Sequence, residues 1–308
     1  MRHALIVIML LFLASMNAWG QVPQAFMLKP LFSYGAEGDE PGELNEPLAI
    51  ALDPEGNIYI ADTGNNRIQK FDKLGNFLKQ VGGFGWEKEQ FDRPVDVCAK
   101  TGLDVFVADY NNERIERYDK DLNYISSYYS DESLGETLQF GFPLAIDISN
   151  HGELFFLDGE NMRAMKINSF GEPELSFGDF RWGEGKLDQP YQLVVTDNDN
   201  VFISDQSANR IAVYDYFGNY TGELGRETLV APRGLTSDAL GRVWIADAGN
   251  HCICLFDAQG HLLFSFGSKG QKIGSFENPN DVAVSNGNVY VLDAGNSRVQ
   301  VFEVIAAE

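Results

Sequence analysis

The chain has 308 residues, of which 44% are hydrophobic and 22% charged, enough to bury a large core. It carries 45 Asp and Glu against 23 Lys and Arg, a formal net charge of −22 at pH 7. A polyanion without any run of Lys or Arg is repelled by nucleic acid and by anionic lipid, so nucleic acid is excluded as an expected partner.

The first twenty residues have the pattern of a secretory signal peptide. Arg2 and His3 precede the apolar run ALIVIMLLFLASM, and Ala18 and Gly20 supply the small side chains that a signal peptidase requires. The run is shorter than the roughly 20 residues of a membrane span, and whether the segment is cleaved or kept as an anchor stays open. We expect a secreted or periplasmic mature protein, residues 21–308, without a membrane span.

Six copies of one sequence unit follow. Each copy opens with a proline, and the spacings between these prolines are 47, 49, 47, 42 and 47 residues; an aspartate keeps step with each proline. The residues are Pro47, Pro94, Pro143, Pro190, Pro232 and Pro279, with Asp62, Asp109, Asp158, Asp205, Asp247 and Asp293. A period of this size predicts a propeller or a solenoid.

Each unit contains four short segments of strand character. In the first unit they read LAIALD, NIYIAD, RIQKFD and NFLKQVG, rich in β-branched and aromatic residues, as strands are. Gly-Asn pairs in DPEGN and DKLGN suit hairpin turns. Six units of four antiparallel strands, with no helical periodicity, predict an all-β fold, a six-bladed β-propeller.

The two ends of the repeat predict how the ring closes. The last copy stops after its third strand, SRVQVFEVI, whereas PLFSYGAEGDEPGELNEP, before the first proline, resembles the fourth-strand stretch LLFSFGSKGQKIGSFENP. Pairing of residues 26–35 with residues 297–304 would complete the last blade and remove two exposed strand edges. We therefore expect residues 21–308 to form one propeller domain, and the protein to be a monomer.

The pattern of proline, IAVD-like strand, Gly-Asn turn, IYVAD-like strand and GNNRI resembles the NHL-repeat family of six-bladed propellers. The resemblance covers residues 26 to 305. That family includes protein- and RNA-binding modules of tripartite-motif ubiquitin ligases, sensor domains of bacterial kinases and a zinc-dependent peptide amidating lyase. The fold alone does not choose among these functions.

The repeated motif itself is expected to be a structural corner. An arginine stands five residues after the aspartate in five copies, as Asp62 and Arg67 do in the first, and Cys252 replaces it in the fifth. Cys252 and Cys254 would lie about 6 to 7 Å apart on one strand, too far for a disulfide. With Cys98 three repeats away, all three cysteines are expected to be unbridged core residues.

No pattern of a catalytic centre is evident. His151 and His261 fall in turns at one end of their blades and His251 in a corner at the other, so a three-histidine zinc centre is not expected. The mouth of the central channel offers Tyr191, Arg233 and the carboxylates Asp96 and Asp281. These side chains either face channel water, or bind calcium through Asp96 and Asp281, or place Arg233 opposite an anionic ligand.

Two loops between blades carry aromatic pairs that the repeat does not require. Phe84 with Trp86, and Phe180 with Trp182, stand where other copies have Glu37 with Asp39 or Lys269 with Gln271. They either cover a neighbouring loop or present a binding surface.

We therefore expect an exported, non-catalytic propeller that binds a protein, peptide or glycan on the face that carries the loops between blades. The alternative is a metal-dependent lyase or hydrolase with its site in the channel, so enzymatic activity stays open.

Overall fold

The computed structural model describes residues 26–179, 183 and 185–306. Their strands form six antiparallel sheets of four strands each, which confirms the six-bladed propeller. The expected signal peptide lies outside these residues, as do Phe180 and Trp182. Among the described residues, no helix is long and apolar enough to cross a membrane.

Each blade runs from an inner strand at the channel to an outer strand at the rim. Blade one has β2 (Ala49–Leu52), β3 (Ile58–Asp62), β4 (Arg67–Phe71) and β5 (Phe77–Gly82). Blade two has β6 (Pro94–Cys98), β7 (Asp104–Asp109), β8 (Arg114–Asp119) and β9 (Tyr124–Tyr129). Blade three has β10 (Pro143–Ile148), β11 (Leu154–Asp158), β12 (Arg163–Ile167) and β13 (Pro173–Phe177).

The remaining three blades follow the same plan, and three short 3-10 turns complete the described elements. Blade four has β14 (Pro190–Val195), β15 (Val201–Asp205), β16 (Arg210–Tyr214) and β17 (Tyr220–Leu224). Blade five has β18 (Pro232–Ser237), β19 (Val243–Asp247), β20 (Cys252–Phe256) and β21 (Leu262–Phe266). Blade six has β22 (Asp281–Ser285), β23 (Asn288–Asp293), β24 (Arg298–Ala306) and β1 (Phe26–Tyr34), and the turns are Thr63–Asn65, Glu136–Leu138 and Ala294–Asn296.

Apolar side chains fill the space between neighbouring blades. The middle strands of a blade are covered on both faces, so β3 (IYIAD) is buried at all five positions, whereas the outer strand β21 (LLFSF) is largely exposed. Between blades five and six, Trp244 packs with Phe276 and Phe302, all fully buried. Each such side chain contributes about 2 to 3 kcal/mol through its burial, and equivalent clusters lie at the other five junctions.

The first and last strands of the described chain close the ring, as the sequence predicts. β1 pairs antiparallel with β24 from Phe26 opposite Ala306 to Tyr34 opposite Val299, with one irregularity near Pro30. The inner strands also contact one another around the channel, including β22 of blade six against β2 of blade one.

Candidate functional site

An Asp–Arg pair stands at the corner between the second and third strands in five of the six blades. Arginine Nε lies 2.6 to 3.4 Å from the aspartate Oδ2 in each pair: Asp62–Arg67, Asp109–Arg114, Asp158–Arg163, Asp205–Arg210 and Asp293–Arg298. The same aspartate also accepts a backbone N–H from the loop that enters its blade, as Asp62 does from Asn45 at 2.7 Å. These corners are therefore structural, as expected.

The corner arginine also fixes the loop leading into its blade. Arg114 donates to the carbonyl oxygens of Trp86 and Glu87, both at 3.0 Å, and of Gln90 at 2.7 Å. In blade one, Arg67 makes the equivalent bonds to three carbonyls of its own loop. Side chains on these loops are therefore presented by a rigid backbone.

The structure places Phe84 and Trp86 in solvent on the loop entering blade two. Their exposed fractions are 69% and 73%, while Phe91 in the same loop is fully buried and forms a backbone bridge with Phe84. Phe91 anchors the loop, so the two exposed rings are not needed to hold it. We name the surface carrying the inter-blade loops and the Asp–Arg corners the loop face.

A groove of about 450 Å³ adjoins this loop on the loop face. Arg114 links this loop to the groove. Its Nη1 donates to the Trp86 carbonyl in the loop and, at 3.2 Å, to the Tyr129 hydroxyl in the groove. Among the described residues, the walls of this loop-face groove hold three exposed carboxylates and no lysine or arginine. The lining residues include Asn111, Asn112, Glu113, Tyr129, Glu132 and Glu160.

A separate cavity of about 210 Å³ lies at the mouth of the channel on the loop face and contains Tyr191 and Arg233. Arg233 donates to Asn280 Oδ1 at 2.6 Å, the Tyr191 hydroxyl donates to the same oxygen at 2.9 Å, and the guanidinium lies 5.6 Å from the Tyr191 ring centroid. The buried Nε of Arg233 has no hydrogen-bond partner among the described residues. The next position, Gly234, leaves no room for a side chain, because a Cβ there would lie 2.0 Å from Asp281 Oδ1.

The channel aspartates link neighbouring blades through hydrogen bonds to backbone N–H groups. Asp96 Oδ2 accepts the Ile146 N–H at 2.6 Å, and Asp281 Oδ2 accepts the Ile50 N–H at 2.9 Å. Asp147 likewise accepts the Val195 N–H of blade four. These bonds account for the burial of Asp96 and Asp281 without an ion, while calcium requires six to eight oxygen ligands; a shared ion stays a prediction.

Burial raises the pKa of Asp96 to about 7 and raises that of Asp281 as well, with repulsion from Asp96 adding to the second shift. The folded protein therefore keeps protons that the unfolded chain releases near pH 4. Since the folded state binds more protons in this window, the free energy of unfolding should fall as pH rises from about 4 to about 7.

We expect Asp96→Asn to flatten this pH dependence, whose slope for one group is at most about 1.4 kcal/mol per pH unit. Urea unfolding across pH 4 to 8 measures it. Asp72→Asn is the control, because a hydrogen bond from Asn76 lowers the pKa of that exposed carboxyl and gives a contribution of opposite sign. A wild-type pH profile in Asp96→Asn would contradict the assignment.

No histidine lines the channel cavities that the structure describes. His151 and His261 lie in hairpin turns, His151 beside Asp199 and His261 beside Asp257. His251 lies at a corner and accepts a hydrogen bond from the Asn278 N–H. Two of the groove carboxylates, Glu113 and Glu160, were missed from the sequence. The available signal was that each stands in a corner on the same face.

Comparison with known proteins identifies the repeats. Residues 44–71, 229–256 and 276–302 match the NHL repeat. The chain is a six-bladed β-propeller that contains NHL repeats at these three positions.

Protein brain tumor of Drosophila melanogaster is 27% identical over 131 residues, which are 42% of this chain and 13% of that protein. The E3 ubiquitin-protein ligase TRIM71 of Rattus norvegicus is 48% identical over 48 residues, 16% of this chain and 6% of the ligase. The similarity thus spans only a small part of either relative. A solved streptogramin B lyase has a TM-score of 0.62 at 15% identity, covering 92% of this chain and 88% of the lyase, and shows the shared fold alone.

Proposed function

We propose that this protein is an exported binding module that takes a basic segment of a protein or peptide on its loop face. The observation that carries the proposal is the pair of solvent-exposed rings, Phe84 and Trp86, on a loop immobilised by Arg114 beside an acidic groove. Export rests on the signal-like pattern of residues 1–20.

The arrangement suits a peptide for two physical reasons. Aromatic rings offer large contact area and lose little side-chain entropy when they are covered. The carboxylates Glu113, Glu132 and Glu160 create a negative potential in the groove, which attracts a cationic partner and speeds its association. Phe180 and Trp182, predicted as a second aromatic pair, lie outside the described residues.

The relatives support a binding role without naming the ligand. TRIM71 is by name a ubiquitin-protein ligase, and 48 of its residues are similar to this chain. We infer that the shared part is a module for protein contact.

We expect Trp86→Ala to weaken peptide binding by about 2 kcal/mol, some 30-fold, because it removes a central aromatic contact. The measurement is an array of Lys- and Arg-rich, neutral and acidic peptides, with glycans as a separate arm, repeated at high salt. Wild-type binding should favour basic peptides and weaken with salt.

Phe170→Ala is the control, since Phe170 is also a strongly exposed ring, in a turn between β12 and β13 away from the groove. Its binding should equal wild type. If Trp86→Ala also binds every peptide at full strength, or if only glycans bind, the proposed peptide surface is wrong.

The channel mouth favours a second candidate, a lyase or hydrolase acting on an anionic substrate. Its specific support is the unpartnered Nε of Arg233 in a 210 Å³ cavity. Metal analysis of the purified protein tests it, because stoichiometric calcium lost in Asp96→Asn and Asp281→Asn would place an ion in the channel and support this candidate.

A further inference from the structure

Blade five departs from the others at the position that holds the corner cation. Where five blades have an arginine, blade five has Cys252, and Cys254 follows two residues later on the same strand, β20. The loop entering this blade, GRETLVAP, is five residues shorter than the loop GAEGDEPGELNEP of blade one. A shorter loop offers fewer carbonyls for an arginine to bind, which explains why arginine is dispensable here.

The substitution leaves Asp247 buried without its usual counterion. Its Oδ1 accepts the Val230 N–H at 2.9 Å, and its Oδ2 accepts the side-chain amide of Asn250 at 2.7 Å. No lysine or arginine pairs with Asp247 among the described residues, although its side chain is fully buried. A carboxylate in this setting is stabilised by a positive charge placed where the arginine would be.

The two sulfur atoms occupy that place. Cys252 Sγ and Cys254 Sγ are 3.8 Å apart, and a carboxylate oxygen of Asp247 lies within 4.8 Å of both. Two sulfurs bound at about 2.3 Å to a tetrahedral zinc ion are separated by about 3.8 Å. The three ligand atoms are therefore already gathered at nearly the spacing that one ion needs.

A serine hydroxyl on an exposed strand lies beside the two sulfurs. Ser265 Oγ lies 3.4 Å from Cys252 Sγ and 3.8 Å from Cys254 Sγ. Ser265 is on β21, the exposed outer strand of the blade. An ion can reach the sulfurs from the rim, where the Ser265 hydroxyl or a water completes four-fold coordination.

We propose that Asp247, Cys252 and Cys254 form a binding site for one thiophilic divalent ion, zinc, at the corner of blade five. Binding releases the two thiol protons to solvent, so the net charge of the corner is unchanged, and the buried Asp247 carboxylate is stabilised by coordinating the ion directly. The site lies outside the channel-mouth cavity and the loop-face groove, so it does not depend on the proposed peptide binding.

A disulfide is the competing use of the two cysteines. Their sulfurs would have to approach from 3.8 Å to about 2.05 Å, and residues two apart on an extended strand have α-carbons near the limit that a bridge tolerates. All three cysteines are free in the structure.

The test uses the reduced full-length protein, freed of metal with a chelator and titrated with Zn²⁺ and with Co²⁺ as a spectroscopic probe. We expect one equivalent of zinc, a rise in melting temperature with zinc, and the thiolate-to-cobalt charge-transfer absorption of a tetrahedral site. Cys252→Ser and Cys254→Ser should each lose the cobalt spectrum, and Asp247→Asn should weaken zinc binding about 10-fold or more.

Cys98→Ser is the control, because Cys98 is a buried cysteine of blade two and should leave zinc binding intact. Cys252→Arg tests the replacement directly: it should abolish zinc binding while keeping the fold, by restoring the corner pair with Asp247. Zinc binding that survives the loss of both cysteines would overturn the proposal. So would the absence of zinc binding in the reduced protein, or a Cys252–Cys254 disulfide in the protein purified without reductant.

Discussion

Removal of residues 21–34 is expected to destabilise the propeller by about 5 kcal/mol or more, or to abolish its cooperative unfolding. The deletion removes β1, and with it the buried side chain of Leu28 and the packing of Tyr34 on Phe71, whose ring centroids are 5.3 Å apart. Each lost buried side chain costs about 2 kcal/mol, and β24 is left with an unpaired edge that promotes aggregation.

Size-exclusion chromatography and denaturant unfolding measure this effect. A synthetic peptide of residues 24–35, added in trans, should restore a monomeric species if strand pairing is the cause. A scrambled peptide of the same composition is the control. A soluble, truncated monomer with the wild-type melting temperature would show that β1 does not hold the ring closed.

Arg114→Ala is expected to cost about 3 to 5 kcal/mol of stability, because it leaves buried charges without a partner. Asp109 and Glu116 are both fully buried, and Arg114 contacts them at 2.8 and 3.1 Å. The substitution also frees the carbonyl oxygens that hold the loop around Trp86. The variant loop should become sensitive to protease.

Arg117→Ala is the matched control on the same strand. Arg117 pairs with Asp104, but its side chain is about one-third exposed, and pairs of this kind contribute about 1 kcal/mol or less. Arg114→Lys should recover only part of the stability, since lysine lacks the planar fork that reaches several acceptors. If the free energies of unfolding of Arg114→Ala and Arg117→Ala fall equally, the corner is not a buried anchor.

The fold was predictable from the sequence because its determinants are local and repeated. Strand segments, turn glycines and corner pairs recur with a fixed period, and the orphan stretch before Pro47 resembles a fourth strand closely enough to predict its pairing with β24. The pattern of one copy alone would be weak evidence for a blade, but six copies at a similar spacing are not expected by chance.

The candidate sites were less predictable because they depend on how separate copies meet. The mouth residues Tyr191 and Arg233 share Asn280, a residue of another blade, as their hydrogen-bond partner. Asp96 accepts a bond from the Ile146 backbone, a contact fixed by the angle between two blades. The spacing of residues within one repeat does not show which residues of different blades meet. The sequence therefore showed that these side chains are polar, but not which groups they bind.

The Arg114 contacts show the same limit at shorter range. The Asp109–Arg114 pair follows from sequence spacing, but the reach of the guanidinium to Trp86, Glu87 and Gln90 depends on the conformation of an irregular loop. Loop backbones have no periodic signal, although they decide which side chains are held rigid.

The pairing of β1 with β24 also governs the order of events when the chain folds. Lys29 and Glu303, which form an ion pair across this seam, are separated by 274 positions in sequence, and the partner of the first described strand is the last. During synthesis, β1 therefore keeps an open edge until β24 has been made. Closing so long a loop is entropically costly, so the ring should reach its finished state in one late step, with the early strand exposed to chaperones or to other chains until then.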